Sequence, residues 1–148
     1  MSAFSLANVP RPALWLGFGG VLPFYGCVVA LWNGETQAAA TDILLGYAAV
    51  ILAFLGAVHW GRALADPPPQ GFSALGWSVV PALLGWLASA WMEPVPALIL
   101  LIVGFWAAFV VDMRAVAEGR FAPWYLALRR PLSALAILAL ALSLTALW

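Results

Sequence analysis

The sequence is poor in the residues that build soluble active sites: it has one cysteine, one histidine and no lysine, and only 8% of its 148 positions are charged. Each scarcity excludes something. A lone Cys27 rules out an internal disulfide and a cysteine metal cluster within one chain, and a free cysteine in an apolar run is usually a small hydrophobe. One histidine cannot make a zinc site without patterned carboxylates, and none are visible. The serines Ser73, Ser78, Ser89, Ser133 and Ser143 have no recognisable spacing to His59, so no nucleophile–base set is present. The expectation is a protein that is not an enzyme, with no metal site and no cofactor implied. The six basic residues, all arginine, are balanced by six acidic ones. With no net positive charge, no basic surface points to a nucleic-acid partner. Met1 to Pro10 carries a single proline and no basic residue, and no small-residue cleavage site follows the first apolar run, so that run is expected to stay as a membrane span.

What the chain does contain is apolar surface. It is 66% hydrophobic, against roughly 45–50% in soluble domains, and a fold of this length could not hide that excess from water. A spanning helix needs about 20 mainly apolar residues, with a range of roughly 17–25. Five stretches qualify: Ala13–Trp32, Ile43–Gly61, Phe72–Met92, Val95–Val111 and Leu132–Trp148. The expected fold is an all-α integral membrane bundle of five transmembrane helices, with residues 1–148 forming a single domain. Gly17, Gly19, Gly20 and Pro23 predict a kink in the first span, and Pro81 predicts another in the third. Gly17-Phe18-Gly19 lies inside an apolar span, so it is not a phosphate-binding loop.

The arrangement of charge gives an orientation. With five spans, Arg11, Arg62, Arg114, Arg120, Arg129 and Arg130 all fall on one side, whereas Glu35, Asp42 and Glu93 fall on the other, which has no basic residue. The positive-inside rule then places the N-terminus inside and Trp148 outside. Between the fourth and fifth spans, residues 121–130 interleave aromatics with arginines. This predicts a separate interfacial helix with Pro123 near its start, its Trp124, Tyr125, Arg129 and Arg130 contacting lipid headgroups or a partner.

Two groups within the spans stand out. Ala49, Ala53, Ala57 and Gly61 are spaced by four and predict a small-residue stripe on which another helix packs closely. His59 shares a different face of that helix with Arg62, and Asp112 lies at a comparable depth, two residues before Arg114. Pairing among His59, Arg62 and Asp112 would offset the roughly 2.5–3.5 kcal/mol that a charge costs near the bilayer centre. The group is read either as a structural polar clasp or as a ligand or proton site. Haem ligation is a third reading; with one histidine per chain, two axial histidines require a symmetric dimer.

His59-Trp60-Gly61 and Pro123-Trp124-Tyr125 with Leu128-Arg129 resemble a family of small proteobacterial and mitochondrial membrane proteins, the one that includes transmembrane protein 69. The likeness extends to Pro12-Ala13-Leu14-Trp15-Leu16-Gly17 with Pro23-Phe24, to Gly46-Tyr47 with Phe54-Leu55-Gly56, to Pro81 with Leu84, and to Asp112. It runs from Val9 to the fifth span. The resemblance implies a domain of unknown function with no reaction, ligand or catalytic residue to carry over, and a multi-pass protein of the bacterial inner membrane. The functional expectation is an accessory or assembly factor for a membrane complex. Its partners are lipids and another membrane protein or a second copy. A small-ligand or proton-handling protein, and a haem-binding dimer, are the alternatives.

Overall fold

Among the described residues, a 3-10 turn at Leu6–Asn8, held by the Ser5 hydroxyl accepting from the Ala7 amide at 3.2 Å, leads into six α-helices. A computed structural model describes residues 5–65 and 71–147, without the side chains of Ser73 and Ala74. Trp148, the expected outer terminus, lies outside the described residues.

The first apolar stretch is divided into α1 (Arg11–Gly19) and α2 (Leu22–Leu31). The break falls at Gly20 and Val21, three residues before the proline at which a kink was expected. Pro23 has no amide to donate and would crowd the carbonyl four residues back. In the structure it lies at the start of α2, where that amide is not needed. The carbonyl of Gly20, freed at the break, accepts from the Tyr47 hydroxyl at 2.8 Å.

Helix α3 (Gln37–Ala65) is 29 residues long and begins before the hydropathic run does. Gln37 to Ala40 are good helix formers, so helix propensity extends past the apolar window. Gln37 Nε2 also donates to the carbonyl of Ala146 at 2.9 Å, which ties the start of α3 to the end of the last helix.

Helix α4 (Phe72–Trp91) runs through Pro81, and its pairing with α3 is the most extensive in the molecule. The two backbones meet at glycines. A Cβ on Gly56 would strike the Ser78 carbonyl and come within 3.1 Å of the Pro81 ring, and one on Gly85 would lie 2.9 Å from the Ala49 backbone. The close approach therefore uses Ala49, a member of the expected stripe, together with Gly56, one residue before Ala57. Ala53 is half-buried, while Ala57 and Gly61 are exposed, and a Cβ on Gly61 would meet nothing within 4 Å.

Helix α5 (Pro94–Ala117) ends in a Schellman turn. Gly119 takes a φ of +74°, with its amide bonded to Val116 O and that of Arg120 to Ala115 O. Helix α6 (Pro123–Ala146) then begins with proline at its first position, where no amide is needed. It corrects the expected division into an interfacial helix and a fifth span, because one continuous helix passes through Pro131. In a membrane helix the carbonyl that proline leaves unpaired can be met by neighbouring groups, and the inward register of α6 is fixed by contacts on either side of Pro131.

Phe24, Leu31, Leu44, Leu52, Leu101 and Phe105 are among the large members of the main core, and Val9, Ala127 and Leu128 form a smaller one where the first described residues meet α6. Outside, large apolar side chains are left bare: Phe72 is 92% exposed and Trp15 81%. Among the described residues four segments are long and apolar enough to cross a membrane, Arg11–Leu31, Gln37–Ala65, Pro94–Ala117 and Pro123–Ala146, and Leu75–Trp91 is a shorter apolar helix.

A candidate polar clasp between three helices

Asp112 sits on the inner face of α5, following Leu101, Phe105 and Ala108 at helical spacing, and is 1% exposed. Its two oxygens are shared among three donors. His59, six residues before the end of α3, faces Oδ1 with Nε2 at 2.8 Å. Arg129, in the second turn of α6, donates from Nε to Oδ2 at 2.7 Å, and the Tyr125 hydroxyl reaches the same oxygen at 3.3 Å. A carboxylate only accepts, so it is the His59 ring that donates, from Nε2. The arginine bond has the short geometry of a charge-assisted contact, and the tyrosine bond is long for an O–H donor.

Aromatic rings close the clasp from outside. Phe121 lies against the His59 ring with centroids 4.9 Å apart, Tyr125 meets Phe121 edge-on at 5.1 Å, and Trp124 meets Tyr125 at 6.2 Å. His59 and Arg129 are buried, at 6% and 5% exposure. Both belong to a network that joins α3, α5 and α6 at one end of the bundle.

Arg129 is the residue that the sequence reading misplaced. It was expected at the lipid headgroups; instead it is buried and supplies the counter-charge of Asp112. Because α6 does not break at Pro131, Tyr125, Arg129 and Ser133 follow one another at four-residue spacing on its inner face. That spacing was the available signal, and the proline concealed it. Arg130, the next residue, is exposed, while Trp124 and Tyr125 are half-buried. Arg62, expected within the polar group, lies at its margin, where its Nε donates to the backbone carbonyl of Arg120 at 2.9 Å. Arg120 in turn pairs with Glu118 at 2.7 Å.

Two buried polar atoms on the inner face of α6, Arg129 Nη2 and Ser133 Oγ, have no hydrogen-bond partner among the described residues. No group of three or more metal-ligating side chains occurs among the described residues. Beside the clasp, an open groove of about 430 Å³ runs between Val58, Gly61 and Ala65 of α3 and Phe121, Ala122 and Trp124, with Arg62 on its edge.

These features define an all-helical membrane protein whose buried charges are gathered at one end of the bundle. The chain belongs to the family described as "Protein of unknown function (DUF3429)", which matches residues 9–145. It is 33% identical to transmembrane protein 69 of Xenopus tropicalis over 144 residues, covering 95% of this chain and 56% of that protein. It is 27% identical to transmembrane protein 69 of Mus musculus over 128 residues, covering 84% and 51%. The chain thus spans about half the length of the curated relatives it matches. No solved structure matches it.

Proposed function

We propose that the chain is a five-span protein of the bacterial inner membrane, N-terminus inside, that acts as an accessory or assembly factor for a membrane complex and carries out no catalysis of its own. The observation that supports this reading is the commitment of Asp112: both of its oxygens are taken by His59, Arg129 and Tyr125. The interior charges hold helices together, and the bare apolar faces, such as that bearing Trp86 and Trp91 on α4, are left for lipid and protein contact. Helix α4 counts as the remaining span, since its 20 residues reach about 30 Å at 1.5 Å per residue, the thickness of the hydrocarbon core. Isolation in several mild detergents, followed by identification of stoichiometric partners, tests the assignment. Recovery of the free chain alone from every detergent overturns it.

A second reading, a small polar ligand or proton-handling site, is favoured by Arg129 Nη2 and Ser133 Oγ. A buried polar atom with no partner costs about 1–3 kcal/mol, which argues for an occupant between them. An experimental map with a dry, filled interior beside Ser133 removes this reading. Haem ligation fits less well, because His59 Nε2 is turned to the carboxylate. A Soret band in protein expressed with haem available would restore it.

A further inference from the structure

Hydroxyls on the other helices show which bond Ser133 leaves unmade. Thr41 donates to the Gln37 carbonyl at 2.8 Å, Ser89 to that of Gly85 at 2.9 Å and Ser143 to that of Ala139 at 2.8 Å, each four residues back. Any serine inside a helix can make this bond. Ser133 has the Arg129 carbonyl at the same spacing, yet its Oγ is buried without a partner among the described residues. An unmet buried hydroxyl is costly, so it gives up its own backbone only where another group meets it.

Arg129 lacks a partner for a different reason. It reaches Asp112 Oδ2 through Nε at 2.7 Å. A side-on guanidinium would set its second nitrogen on the other carboxylate oxygen. That oxygen, Oδ1, is held by His59 at 2.8 Å, and the Tyr125 hydroxyl shares Oδ2. Nη2 is thus buried with its donors unmet among the described residues. Arg129 and Ser133 are 5% and 3% exposed and follow one another on the inner face of α6, a spacing that sets their Cβ atoms about 5–6 Å apart. Pro131, between them, has no amide to give the Ala127 carbonyl.

The chemistry of these groups selects an occupant. Nη2 only donates, a carbonyl only accepts and a hydroxyl does either, so a molecule that accepts and donates at once suits all three. Asp112 and Arg129 already balance one another. An anion added beside them would be an uncompensated buried charge, which favours a neutral occupant. We propose that an ordered water is bound inside the bundle, bonded to Arg129 Nη2 and Ser133 Oγ. It extends the hydrogen bonds of the clasp one turn further along α6. The proposal rests on the second reading above, whose occupant it identifies, and on no protein partner.

The test is a crystal structure of the full chain grown in a lipid phase, at a resolution that shows waters, together with unfolding of Ser133→Ala in mixed micelles. The expected density is one isolated peak within hydrogen-bond distance of both atoms. Ser133→Ala should lower the ratio of folded to unfolded chain about fivefold, the effect of losing one ordinary hydrogen bond. A ratio that rises instead, because an unmet hydroxyl has been removed, overturns the proposal. Protein atoms packed without a peak between the two side chains remove both the water and the ligand reading. Larger density at the site, or stabilisation that saturates with sodium chloride or sodium acetate at constant ionic strength, overturns the water and leaves the ligand reading standing.

Discussion

Two of the contacts that hold helix α3 in the bundle obey different rules. Against α4 it uses absence: Gly56 and Gly85 have no side chain, so backbone meets backbone and carbon packs on carbon. Against α5 and α6 it uses charge, a carboxylate with a guanidinium, an imidazole and a phenol. Lipid gives helices no hydrophobic reason to associate, so close packing and interhelical polar bonds must supply it. The packed contact is intolerant of anything added. The charged one is intolerant of anything removed alone.

The largest effect expected from that contrast is at the ion pair. Arg129→Leu strands Asp112 in the interior and should cost about 3–5 kcal/mol of stability, whereas Arg129→Leu combined with Asp112→Leu should recover most of the loss. Unfolding in mixed micelles measures both, and a double variant no better than the single one would mean the two residues are not a pair. At the packed contact, Gly56→Leu should cost about 1–3 kcal/mol because a backbone carbonyl blocks the new side chain. Gly61→Leu, on the exposed face, should stay within about 0.5 kcal/mol; equal losses at the two glycines would put the close approach back on the expected stripe. A double-mutant cycle of His59→Ala and Asp112→Asn should show coupling of about 0.6–1.7 kcal/mol, the range for polar contacts in membranes. Additive losses would separate histidine from carboxylate. The smallest change belongs to Tyr125→Phe, expected below about 1 kcal/mol because its bond to Asp112 is 3.3 Å long.

The all-α character and the apolar segments were legible in composition and run length. Their ends were less so, because hydropathy marks where lipid begins and not where a helix does. Gln37 to Ala40 extend α3 with residues that favour helix without being strongly apolar, and the glycines before Pro23 give way before the proline itself is reached. The approach of His59 to Asp112 could be anticipated from depth, since both stand just inside arginines that mark the edge of the span. Arg129 could not be placed that way. A proline two residues later and an arginine beside it made the segment look interfacial, and only the tertiary pairing with Asp112 turns one of two adjacent arginines inward.

The clasp also orders events in time. A chain emerges from synthesis N-terminus first at about 5–20 residues per second. Arg129, 17 positions after Asp112, therefore appears about one to three seconds after the carboxylate it neutralises. During that interval the carboxylate has been made and its guanidinium has not. His59, 53 positions earlier, is made before either, so of the three donors the imidazole is the first to exist and the arginine the last.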